Sequence, residues 1–167
     1  DVALAAPPAP SHSHGRLGIV RALGILYAAG ERDLAIPVVA DIADRVSDPG
    51  VLAAMAEVTQ QNQDARATML IGKAAINHGH AFAHHAFPTI GVPRYSAIGP
   101  EVDASLVYSI VRQESGFNAT VVSSAKAMGL MQVTAAAGRY IAKKFKVAFD
   151  GKRLLNDTTY NVQMGAA

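Results

Sequence analysis

Residues 101–134 read EVDASLVYSIVRQESGFNATVVSSAKAMGLMQVT, and the spacing in the first half of this stretch decides its fold. Leu106, Val107, Ile110 and Val111 recur at i, i+1, i+4 and i+5, which is one face of an α-helix starting near Pro100. Glu114 follows four residues after Ile110 and three after Val111, so the pattern puts a carboxylate at a core position at the C-terminal end of that helix. Desolvation and the negative end of the helix dipole both disfavour the ionised form, and the spacing therefore predicts a pKa raised from about 4.3 toward neutrality. A general acid needs that condition. By periodicity alone, a buried structural glutamate or an ordinary solvated helix end is the commoner outcome. The following stretch, Ser123 to Gln132, is a small-residue loop leading into an apolar turn. It has glycine where backbone must come close to something, and it offers small polar groups beside the acid.

Upstream, the chain is rich in alanine and leucine and is punctuated by helix stops. Leu17, Val20, Leu23 and Tyr27 fall at helical spacing from Arg16 and end before Gly30. Asp33 is expected to cap a second helix through about Arg45, with Pro37 near its first turn or marking a kink. Asp48 before Pro49 is a strong start signal for a third helix reaching about Gln61, with Leu52, Met55 and Val58 or Thr59 inward. Asp64 begins a fourth, with Met69, Lys73 and Ile76 on one stripe and Gly79 as its stop. The step from Arg16 to Pro49 is about 33 residues and that from Asp33 to Asp64 about 31, so the four helices read as two units of a helix-pair repeat. Such pairs stack because neither can bury its apolar face alone.

Between Gly79 and Pro100 the prolines and glycines mark an irregular connection. His78, His80, His84 and His85 sit near its start. No cysteine and no nearby carboxylate completes a metal set, so they read as surface or packing residues. Residues 1–15 begin DVALAAPPAPSHSH and read as an extended arm or linker. The formal charge is +2, from 15 basic and 13 acidic residues, which is too balanced for a nucleic-acid binder. A local basic run at Arg139, Lys143, Lys144, Lys146, Lys152 and Arg153 reads as a solvated face in preference to an anion-binding surface. No stretch reaches the roughly 18 to 20 apolar residues of a membrane span, and the start has no signal-peptide pattern, so the chain reads as soluble and already processed. The absence of cysteine leaves the compartment undetermined by thiol chemistry.

The stretch VYSIVRQESGFNATVVSSAKAMGLMQVT resembles the signature of the soluble lytic murein transglycosylases, whose catalytic domain is similar to goose-type lysozyme. The match consists of Glu114-Ser115 after an apolar helix, then Phe117-Asn118, Ser123 nine residues after the glutamate, and Gly129-Leu130-Met131-Gln132. Several elements at fixed spacing make it far more specific than a lone acid. The helix pairs and Ala86-Phe87-Pro88 also resemble the superhelical region that precedes this domain in the family. The resemblance implies an all-α fold: a short superhelical helix-pair array over residues 16–99, then the first part of a lysozyme-like domain over residues 100–167.

By that resemblance Glu114 is the catalytic acid/base, Ser123 lines the cleft, Gln132 binds sugar, and Gly129 and Met131 help form the wall. Ser115 belongs to the motif without a defined role. Thr134 stands where some relatives place methionine, which puts that apolar sugar contact in doubt. The implied reaction cleaves peptidoglycan between N-acetylmuramic acid and N-acetylglucosamine to leave a 1,6-anhydro sugar, in place of the water attack of two-carboxylate glycosidases. It implies no metal or organic cofactor and a periplasmic setting. Asp150 and Asp157 are the downstream carboxylates, and each reads as a loop or cap residue. Family members continue with further helices and an Ala-Tyr-Asn-Ala-Gly-type motif for the opposite cleft wall. The 167 residues are therefore expected to be a weak or inactive piece of a longer enzyme. The alternative is a non-catalytic helical-repeat scaffold or peptidoglycan-binding module.

Overall fold

The computed structural model describes residues 14–167, with side chains described from residue 18 onward; the arm read over residues 1–15 lies almost wholly outside them. Regular structure among the described residues is helical, and the chain divides into two compact units, Asp1–Gly91 and Val92–Ala167. Segment 92–99 belongs to the second unit, where the Gln163 amide nitrogen donates to the Ser96 carbonyl at 3.0 Å.

In the first unit α1 (His14–Ala28) pairs with α2 (Arg32–Arg45) and α3 (Pro49–Gln61) with α4 (Ala65–Asn77). The pairs stack with α1 against α3 and α2 against α4, which is the two-layer arrangement of a helix-pair array. Asp48 and Asp64 cap α3 and α4, accepting from Val51 N at 2.9 Å and Ala67 N at 3.0 Å. Such caps contribute about 1 kcal/mol each. Asp33 does not cap α2: the N-cap is Glu31, without a side-chain bond, and Asp33 lies in the first turn. Arg32 is drawn into the helix while its Nε donates to Asp64 Oδ2 at 3.1 Å and Nη2 donates to the Asn62 carbonyl at 2.9 Å. Tyr27 donates to the same Asp64 oxygen at 3.0 Å, so one buried carboxylate ties α1, α2 and α4 together. Burial and the adjacent Asp64 charge push the Tyr27 hydroxyl well above its ordinary range. Pro37 lies inside α2, beyond its first turn, in an unbroken helix.

The stripe expected on α4 is corrected by the packing. Lys73 is exposed and Ile76 is 42% exposed, whereas Thr68, Met69, Ile71, Gly72 and Ala75 are buried. Helix α4 meets α2, α3 and α5 (Ala83–Ala86) at once, so three neighbours set its buried face. The approach of α5 is close enough that a Cβ on Gly72 would lie 2.2 Å from the backbone nitrogen of Ala86. Phe82, Leu52, Met55 and Ile71 are fully enclosed, each contributing roughly 1.5–3 kcal/mol of hydrophobic stabilisation.

The histidines near α5 have structural partners. His78 Nε2 lies 3.3 Å from the Ala43 carbonyl and His80 Nε2 lies 2.7 Å from that of Ser47. His85 is buried against Phe82, with ring centroids 5.2 Å apart, and its Nδ1 has no hydrogen-bond partner among the described residues. Burial first and the neighbouring His84 second lower its pKa from 6.5. Above the unfolded value the ring is neutral in both states. As pH falls through it the unfolded chain takes the proton first, so stability is lost down to the folded pKa. Urea unfolding of residues 1–91 within the protein is expected to show a lower midpoint at pH 5.5 than at pH 7.5. The same comparison for His85→Gln should show a smaller drop, and an equal drop would assign the effect to other groups.

In the second unit α6 spans Ala104–Glu114, later than the expected start near Pro100. Asp103 sets this boundary by accepting from Ser105 N at 2.8 Å. Helix α7 (Ala135–Phe145) is capped by Thr134, whose Oγ1 accepts from Ala137 N at 3.2 Å, and it ends at Lys146 in a left-handed conformation. A short α8 (Arg153–Asn156) leads into α9 (Thr158–Gly165), capped by Asp157. The basic run has mostly local roles. Arg153 pairs with Asp157 at 2.9 Å and stacks on Tyr160, Arg139 lies over Phe149, and Lys144 lies over Phe145. Lys143 and Lys144 also occupy the last turn of α7, where cations are favoured by the dipole. No described helix is long and apolar enough to cross a membrane.

Candidate functional site

Helix α6 delivers Glu114 as its last residue. Val107 and Val111 anchor the helix, being 1% and 0% exposed, but Leu106 is 51% exposed and Ile110 only half-buried. The buried stripe is therefore narrower than the periodicity implies. Glu114 falls outside it, is exposed, and is not held in the core position expected from the spacing; the described residues do not supply the burial on which that expectation rested.

After Glu114 the chain turns sharply. Ser115 Oγ donates to the Val111 carbonyl at 3.1 Å, and Gly116 and Phe117 both have positive φ, 55° and 62°. A bulky residue rarely adopts that conformation. Phe117 is held there by burial, 8% exposed, with its ring 6.5 Å from that of Tyr108. This reversal fixes where the helix stops and so where the carboxylate is presented.

The remaining site residues named from the sequence, Ser123, Gly129, Met131 and Gln132, are brought together in one braced loop. Ser123 Oγ accepts from Ala127 N at 3.1 Å, and Ser123 N donates to the Ala127 carbonyl at 2.9 Å. Met128 and Val133 exchange both backbone bonds, at 3.1 and 3.0 Å, closing a four-residue turn over Gly129–Gln132. Gln132, itself at φ 48°, sends its Nε2 inward to the Gly129 carbonyl at 2.9 Å and the Val121 carbonyl at 3.3 Å. Met131 is buried, with its side chain where a Cβ on Gly165 would meet it at 2.4 Å. It supports the loop from behind.

Asn161, in α9, reaches well beyond its own helix. It is 1% exposed and bonds to Met128, Met131 and Leu154. Asn161 lies 30 residues from Met131 along the chain, so no local pattern indicates the contact. Asp157 and Asp150 are both engaged as turn and cap groups. Asp157 accepts from Tyr160 N and Arg153, which hold its carboxyl below the usual range, and Asp150 accepts from Lys152 N. A cavity of about 380 Å³ opens at the other end of α6, lined by Val92, Arg94, Tyr95 and Tyr108 among others. Glu114 is not part of its lining.

Residues 93–167 match the family described as Transglycosylase SLT domain. Over 93 residues the chain is 38% identical to Membrane-bound lytic murein transglycosylase C of Photorhabdus laumondii, and equally to the protein of that name from Yersinia enterocolitica. Each comparison covers 54% of this chain and 25% of the relative; the chain spans about a quarter of the length of these curated relatives. The backbone also matches the 70 kDa soluble lytic transglycosylase SLT70 from Escherichia coli, with a TM-score of 0.72 at 22% identity, over 97% of this chain and 27% of that one. A complex of the 70-kDa soluble lytic transglycosylase with bulgecin A gives a TM-score of 0.71 at 22% identity, over 99% of this chain and 27% of that one. The structural likeness establishes the all-α fold, and the sequence matches support a lytic transglycosylase family at the level of the domain.

Proposed function

Given that residues 93–167 match the Transglycosylase SLT domain, we propose that the protein to which they belong cleaves the β-1,4 bond between N-acetylmuramic acid and N-acetylglucosamine in peptidoglycan. The carrying observation is the placement, within that matched segment, of Glu114 at the exposed end of a capped helix, followed in sequence by the braced turn Gly129–Gln132. In this reading the Glu114 carboxylic acid protonates the glycosidic oxygen and the C1–O bond breaks. The substrate's acetamido group stabilises the cationic centre. The Glu114 carboxylate then removes the proton of the C6 hydroxyl, whose oxygen bonds to C1, so the acid is regenerated and no water is consumed.

Gln132 has its Nε2 committed to the loop, which leaves Oε1 as the end to accept from a sugar hydroxyl or amide. Ser123 presents a half-buried hydroxyl, and Gly129 and Met131 hold the turn from within. The helix-pair unit is proposed as a scaffold, and the compartment as the periplasm, where the substrate lies. The exposure of Glu114 leaves the sugar free to move and water free to enter, so the 167 residues alone are proposed to be weak or inactive.

Mass spectrometry of sacculi digested by the full-length protein tests the reading. An anhydro end is one water lighter than a reducing end, and anhydro products are expected. Reducing ends alone would replace the proposal with a lysozyme-like hydrolase. Sacculus binding without any product would favour the scaffold or binding-module alternative.

A further inference from the structure

We infer that Asn161 is a positioning residue for the site loop, an inference that rests on the transglycosylase reading. Its side chain sits in α9 and uses both ends of its carboxamide. Oδ1 accepts from Met131 N at 2.9 Å, while the two protons of Nδ2 go to the carbonyls of Met128 and Leu154, each at 2.7 Å. All three partners are backbone groups, two of them in or beside the turn that carries the predicted substrate residues. The side chain is 1% exposed, so water cannot take over these bonds.

The fit is steric as well as polar. Gly129 has φ +72°, and a Cβ there would lie 2.5 Å from Asn161 Nδ2 and 2.8 Å from the Leu154 carbonyl oxygen. The carboxamide therefore forms the floor of the turn. Its bonds to Met128 and Met131 flank Gly129, whose carbonyl accepts from Gln132 Nε2. No other common side chain of this size supplies one acceptor and two donors. Aspartate offers acceptors only, aimed at two carbonyl oxygens, and leucine leaves three backbone groups unpaired. A purely structural residue would lose stability when replaced. A positioning residue would in addition lose the alignment of sugar and acid, and with it the preference for internal attack over water.

The test uses the full-length protein on purified glycan strands, measuring kcat, KM, the ratio of anhydro to reducing ends, and Tm, at a temperature where each variant is folded. Val162→Ala is the comparison, because Val162 is adjacent in α9 and fully buried. Asn161→Asp is expected to lower kcat about a hundredfold while KM moves less than about threefold, as a small misplacement of reacting groups does. It should also raise the share of reducing ends. Asn161→Ser, which aims no carboxylate at the carbonyls and is the fallback if the aspartate variant does not fold, should lower kcat about tenfold. Val162→Ala should lose Tm but keep its product ratio and kcat within about twofold. Retained kcat and product ratio in both Asn161 variants, or an equal loss in Val162→Ala, would overturn the inference and leave Asn161 a stability residue. A wild-type protein that makes no anhydro ends would overturn the transglycosylase reading itself.

Discussion

Glu114→Gln in the full-length protein is expected to lower the release of 1,6-anhydromuramic products by about a hundredfold to ten-thousandfold, the range that a positioned general acid and base contributes. The amide has nearly the shape of the acid but can neither give a proton to the glycosidic oxygen nor recover one from the C6 hydroxyl. Both halves of the proposed reaction are lost in one substitution. Because Glu114 is exposed at the end of α6, the fold should be almost indifferent, with stability changed by no more than about 0.5 kcal/mol. A thermal melt beside the product assay separates the two effects. Undiminished release would reject Glu114 as the acid, whereas lost release with a collapsed melt would mean that the residue carries fold and not chemistry.

Gly129→Ala is expected to be the most damaging small substitution in the second unit. Its φ of +72° costs an L-residue roughly 1–2 kcal/mol. The new methyl group also meets two neighbours that cannot yield. Asn161 is pinned by three hydrogen bonds, and the Leu154 oxygen is backbone. Overpacking of that kind adds about 1–3 kcal/mol, for a total of roughly 2–5 kcal/mol. A second unit of this size should then melt about 10 °C or more lower. Activity per folded molecule should fall as well, because the Gly129 carbonyl holds Gln132. Calorimetry and the anhydro-product assay measure the two effects. A variant within about 1 kcal/mol of wild type would show that the turn relaxes at little cost, contrary to the interlock with Asn161.

The elements that depend on near neighbours are legible in the amino-acid order alone. Asp48 before Pro49 and Asp64 before Ala65 fixed two helix starts, because a cap reaches only three residues forward. Glycines and prolines marked the connection, and the spacing of Glu114, Ser123 and Gly129–Gln132 located the segment that the SLT domain match covers. Even these local signals faltered where a distant partner intervened. Asp33 reads as a cap, but Arg32 is held by Asp64 and Asn62 from the connection between α3 and α4, and α2 begins earlier.

Which faces are covered depends on packing between elements distant in the chain. Met69, Lys73 and Ile76 share a stripe on paper, yet α4 is packed by three helices and leaves Lys73 and Ile76 outside. Leu106, Ile110 and Glu114 fall on an apolar face by spacing, but Val107 and Val111 alone reach the core. Periodicity reports which residues can be buried together. It does not say what will arrive to bury them, which is why Glu114 was legible as a position and not in its exposure. The clamp from Asn161 onto Met128 and Met131 was hidden for the same reason: a hydrogen bond across 30 residues leaves no spacing in the sequence, because its geometry exists only once α9 has docked beneath the loop.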